Sequence, residues 1–160
     1  MSPSGNACLR CSRPTTVSSQ GLQTWATNYV NENIFYLTTG NILDLYAELF
    51  GITDQLAKDA LLNADMLESA LASPRNRALY DDAYIAEQGA HLGFSLAKNH
   101  PFQDGNKRTA GLAVQLFRGT NGITLTCSDD YLAAWAIALT LGMSAETLAA
   151  CLSSFVEPLT

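Results

Sequence analysis

The chain has 160 residues, 48% of them hydrophobic and 15% charged, with a formal charge of −6. That length suits one domain with a single sizeable core and no need of covalent staples. The acidic balance excludes a general affinity for nucleic acid or for an anionic membrane, because no basic stripe exists to release counterions or attract lipid headgroups, so any anion must be bound locally.

Residues 1 to about 20 carry Pro, Ser, Thr and Gly without apolar periodicity and read as a flexible extension, with the folded domain over 21–160. The first 31 residues hold no Asp or Glu, but with only Arg10 and Arg13 as cations they fit a disordered tail better than a transit peptide. Leu22, Trp25, Ala26 and Tyr29 then recur at helical spacing. After "NIFYLTT", a short extended piece, Ile42, Leu45, Tyr46, Leu49 and Phe50 repeat the pattern until Gly51 stops it. Asp54 is placed to cap a short helix through Leu62, and Asp65 with Glu68 forms a capping-box pattern opening "MLESALAS", which Pro74 is expected to close.

Ala83, Ala86, Ala90, Phe94 and Ala97 mark the stripe of another helix, which must end by His100 because Pro101 drives the residue before it away from helical geometry. Ala110, Ala113, Val114 and Phe117 line one face of the next helix, with Leu112 and Leu116 on another, so that helix is buried on most sides up to Asn121-Gly122. A brief "ITLT" extension leads to Ser128, a cap for the helix of Leu132, Trp135 and Leu139, and Ser144 caps a last helix with Leu148, Leu152 and Phe155. The apolar run at 131–143 is too short to span a bilayer. The expected fold is all-α, without repeats or internal linkers.

Of the four cysteines, Cys8 and Cys11 have no second close-spaced Cys or His pair to complete a zinc site. They read as tail thiols, with Cys127 and Cys151 as small buried side chains, in a protein of a reducing compartment, the cytoplasm.

The chemistry concentrates in residues 100–110, "HPFQDGNKRTA", a loop that runs into the N-terminus of the most buried helix. First-turn N–H groups lack intrahelical partners and the dipole presents its positive end there, so a phosphate can settle on Gly105, Asn106 and Lys107. Arg108 can pair with phosphate oxygens, and Asn106 can hydrogen-bond to them without adding charge. Asp104 offers a hard oxygen to Mg²⁺, which takes its remaining ligands from phosphate and water. His100 is suited to accept a proton from an attacking hydroxyl. Taken singly, a His before Pro is usually structural and Asp-Gly-Asn is a common turn; the joint spacing is what points to catalysis. His91 has no such neighbours and reads as a helix-surface or satisfied core residue.

"HPFQDGNKRTA" closely resembles the signature of Fic/Doc proteins, and Lys107, where the usual form has a second glycine, resembles the Doc branch. The likeness extends through "FYLTTGNILDLYAELFG", "NADMLESALASP", "QLFRGTNGITLT" and "GMSAETLAACL", covering roughly residues 35–156. The resemblance implies a compact helical bundle with a loop-to-helix anion-binding motif, and transfer of a phosphate-containing group from a nucleotide to a protein hydroxyl. By position it implies His100 as general base, Asp104 as Mg²⁺ ligand, Gly105, Asn106 and Lys107 as the anion-holding turn, and Arg108 as a phosphate clamp.

Adenylylating members carry a second arginine three residues after the first, where this chain has Gly111. Doc-branch proteins also lack it, and the resemblance implies a reversed ATP whose terminal phosphate moves. The expectation is therefore a protein kinase using Mg-ATP on a Ser, Thr or Tyr hydroxyl of a target, a translation elongation factor in the Doc case, and a toxin paired with an antitoxin. Pro101 and Gly105 are shared with adenylylating members, so protein adenylyl transfer is the alternative; a non-catalytic nucleotide- or protein-binding module is a second. Family members hold target backbone against an extended flap, for which "SPRNRALY" at 73–80 is the candidate. Ser153 and Glu157 match the first part of an inhibitory segment known in Fic proteins, but Pro158 breaks it, so no self-inhibition is expected.

Overall fold

The structure is a computed structural model that describes residues 34–83, 85–125, 142–147 and 156–158, with single positions at 134, 138 and 150. The expected tail over 1–20 and the helix of Leu22, Trp25, Ala26 and Tyr29 lie outside the described residues. So do Leu132, Trp135, Leu139, Leu148, Leu152, Phe155 and the four cysteines.

Helix α1 spans Thr39–Phe50 and opens on a capping box: the Thr38 hydroxyl accepts from the Asn41 N–H and the Asn41 side chain accepts from the Thr38 N–H. Gly51 closes it in the left-handed region, φ 61°, its N–H turned back to the carbonyls of Ala47 and Glu48. Helix α2 spans Asp54–Ala60. Its cap is Thr53 rather than Asp54, because the Thr53 hydroxyl reaches the Leu56 N–H, while Asp54 sits in the first turn where the dipole favours a carboxylate. It stops short of Leu62 because Leu61 turns extended and bridges Phe102.

Helix α3 spans Ala64–Asp81, capped by Asn63. The expected stop at Pro74 does not occur: Pro74 lies inside the helix and is buried with Leu67 and Ala70. A proline forfeits one helical hydrogen bond, and here the burial of Pro74 with Leu67 and Ala70 outweighs that loss, so the helix runs on to Asp81. Residues 73–80 are consequently helical and supply no extended flap.

Helices α4 (Ile85–Asn99) and α5 (Asn106–Thr120) form the centre of an all-α fold. They approach closely at Gly93, where a Cβ would come 2.6 Å from a Val114 methyl. Leu92, Leu96, Ala110, Ala113 and Phe117 close the core with Ile42 and Leu67. The fully buried Arg118 joins the two helices, its guanidinium donating to the Ala86 carbonyl at 2.7 Å. After α5, strand β1 (Ile123–Leu125) pairs antiparallel with β2 (Val156–Pro158), with Thr124 opposite Glu157. No described helix is long and apolar enough to cross a membrane.

Candidate functional site

The segment between α4 and α5 is held by its own backbone. Among the described residues it makes a strand-like contact with the α2–α3 junction: the Gln103 N–H donates to the Ala60 carbonyl at 2.9 Å, and the Leu62 and Asn63 N–H groups both donate to the Pro101 carbonyl at 2.9 and 3.2 Å. Pinned in this way, His100 takes φ 47°, a conformation few residues other than glycine adopt. Its side chain is exposed at the end of α4.

Asn106 is 8% exposed, and its side chain is turned onto the loop. Its Oδ1 accepts the Phe102 N–H at 2.9 Å while its Nδ2 donates to the Phe102 carbonyl at 2.8 Å. The side chain thereby holds the loop, and what Asn106 presents to a ligand at the helix start is its main-chain N–H. Gly105 is the N-cap of α5, at φ 73° and with no capping side chain, so the first-turn N–H groups of Asn106, Lys107 and Arg108 are left for an anion. The Thr109 hydroxyl and N–H both return to the Gly105 carbonyl at 2.9 Å, which fixes that first turn.

Beneath the loop lies an aromatic stack from α1 for which the sequence offered only helical periodicity. Tyr46 stacks on Phe102 at 4.2 Å between ring centres and meets Phe50 at 4.7 Å. The Tyr46 hydroxyl donates to the Asp104 carbonyl at 3.1 Å. Burial pushes the Tyr46 phenol above its ordinary pKa, with the negative charge of Asp104 adding to the shift. The Phe50 ring fills the space where a Gly105 side chain would stand, and the Arg108 guanidinium lies 5.8 Å from its centre.

His100 and Lys107 line one cleft of about 400 Å³, a volume that fits a nucleotide-sized ligand. Phe94, Ala97 and Lys98 of α4 form one side of it and Gly142, Met143 and Ser144 another. Ser144 is the expected cap, its hydroxyl accepting from the Thr147 N–H at 3.2 Å. Asp104 and Arg108 are not on the lining; both are exposed beside it. One Asp104 oxygen accepts the Gly105 N–H at 2.6 Å, which leaves the other for a cation. No group of three His, Cys, Asp or Glu able to hold a metal occurs among the described residues. A single carboxylate oxygen of Asp104 beside the uncapped helix start is a donor set of the kind that suits a Mg²⁺ drawing most of its ligands from phosphate and water.

His91 is apart from this site. It is buried on α4, and burial pushes its pKa below 6.5, Arg77 adding to the effect while Glu146 and Asp81 oppose it.

A model of the Fic/DOC family matches residues 36–118, a little over half of the chain. Over 67 residues the chain is 40% identical to Toxin Doc of Mycolicibacterium smegmatis, a stretch that makes up 41% of this chain and 52% of that protein. The chain thus spans about half the length of the curated relative it matches.

Proposed function

Given that the chain belongs to the Fic/DOC family, in its Doc branch, we propose that it is a protein kinase that transfers the terminal phosphate of Mg-ATP to a hydroxyl side chain of a target protein. The observation that carries this reading is that His100 and Lys107 line one cleft at the uncapped N-terminus of α5. There the free N–H groups and Lys107 hold phosphate oxygens, and His100 receives the proton. The target oxygen forms a bond to the γ-phosphorus, the bond from that phosphorus to the β–γ bridging oxygen breaks, and ADP leaves. Asp104 is the residue for Mg²⁺, whose chemistry is to neutralise phosphate charge. Arg108, steadied over Phe50, is placed to clamp the same charge from outside the cleft.

Lys107 and Gly111 favour γ- over α-phosphate transfer, since positive charge gathers at the loop and none stands one turn further along α5. The name of the relative, Toxin Doc, supports a role as a toxin; the antitoxin that restrains it, a translation elongation factor as target and the cytoplasm as setting are carried over from the family resemblance alone. The test is to incubate the chain with Mg²⁺, host lysate and ATP labelled at either the γ- or the α-phosphate. Protein label from γ only is expected. Label from α overturns the kinase reading in favour of adenylyl transfer, and label from neither leaves a binding module.

A further inference from the structure

The cleft beside His100 contains a second lysine that the transfer as described does not use. Lys98 stands in the last turn of α4, one turn after Phe94, and its ammonium lies 5.3 Å from the centre of the Phe94 ring. Both side chains line the cleft together with His100 and Lys107. A basic residue in the last helical turn complements the helix dipole and ordinarily needs no further account. Here two features go beyond that. Among the described residues Lys98 makes no ion pair and no Asp or Glu lines the cleft. Its ammonium is ordered instead by a ring face, which positions a cation without cancelling its charge as a carboxylate would. In a chain of formal charge −6, two unneutralised lysines on one cleft make a local field that draws a polyanion.

We propose that Lys98 is a second phosphate-contacting residue, bracketing the polyphosphate of the nucleotide with Lys107, and that Phe94 is its positioning residue. The inference rests on the reading of the cleft as the ATP site and deepens it. The three donors of an ammonium suit oxygens of adjacent phosphates. The ring keeps that ammonium over the cleft, so less side-chain freedom is lost when the ligand arrives.

Calorimetric titration of the full chain with Mg-ATP and with inorganic tripolyphosphate tests this, comparing the natural chain with Lys98→Met, which keeps the apolar stem on Phe94, and Lys98→Arg. Lys98→Met should weaken both ligands about tenfold, Lys98→Arg should stay within about twofold, and both should keep the thermal midpoint. On the target protein, Lys98→Met should raise the KM for ATP with kcat little changed. Binding by Lys98→Met equal to the natural chain would overturn the contact while leaving the kinase reading in place. So would weakening that Arg does not rescue and that comes with a lowered midpoint, since that is a structural effect. A natural chain that binds neither ligand overturns both readings.

Discussion

The ring of Phe50 occupies the space that a side chain at Gly105 would need, so the C-terminus of α1 dictates glycine at the N-cap of α5. Gly105→Ala meets two penalties, roughly 1–2 kcal/mol for a left-handed backbone at a non-glycine residue and about 1–3 kcal/mol for overpacking against the ring. Only the second depends on Phe50. Chemical denaturation of Gly105→Ala, Phe50→Ala and the double variant should show the pair less destabilised than the sum of the singles, by about 1–3 kcal/mol. Strict additivity would mean that the ring does not enforce the glycine.

His100→Ala should keep the fold, since the side chain is exposed, and should bind Mg-ATP nearly as the natural chain does. Phosphoryl transfer to the target should fall by about 10²- to 10⁴-fold, the usual contribution of a general base. Unchanged turnover would remove His100 from the mechanism.

A Cβ at Gly111 would meet nothing within 4 Å, so a side chain can leave the backbone there without a clash at its first atom. Combining Gly111→Arg with Lys107→Gly moves positive charge one turn along the helix, and should shift protein labelling from the γ- toward the α-phosphate of ATP. A double variant that labels only from γ would show that these two positions do not set the orientation of the nucleotide.

His91 gives stability a pH dependence of defined sign. Its folded pKa is depressed, so below about 6.5 the unfolded chain takes up a proton that the folded chain resists. Stability is therefore full above 6.5, falls as pH drops through that value, and levels off once pH is below the folded pKa. Thermal midpoints of the natural chain and His91→Gln, measured between pH 5 and 7.5, should show a slope in the former that is flatter in the variant.

The periodicity of apolar residues by itself determined the helices at 39–50, 85–99 and 106–120, and Gly51 and Asn121-Gly122 marked two of their ends, because side-chain pattern and left-handed caps are local properties. The spacing of "HPFQDGNKRTA" likewise determined that a loop enters a helix N-terminus with His100 ahead of it, since Pro101 and Gly105 act on their own backbone. Three things were decided only by tertiary structure. Pro74 failed to stop α3 because packing against α4 outweighs one lost hydrogen bond. Asn106 turned its side chain to Phe102 because burial obliges a polar group to find its nearest partners. Tyr46 and Phe50 joined the loop from α1, and no local spacing encodes a contact between residues 58 positions apart, such as Tyr46 with Asp104.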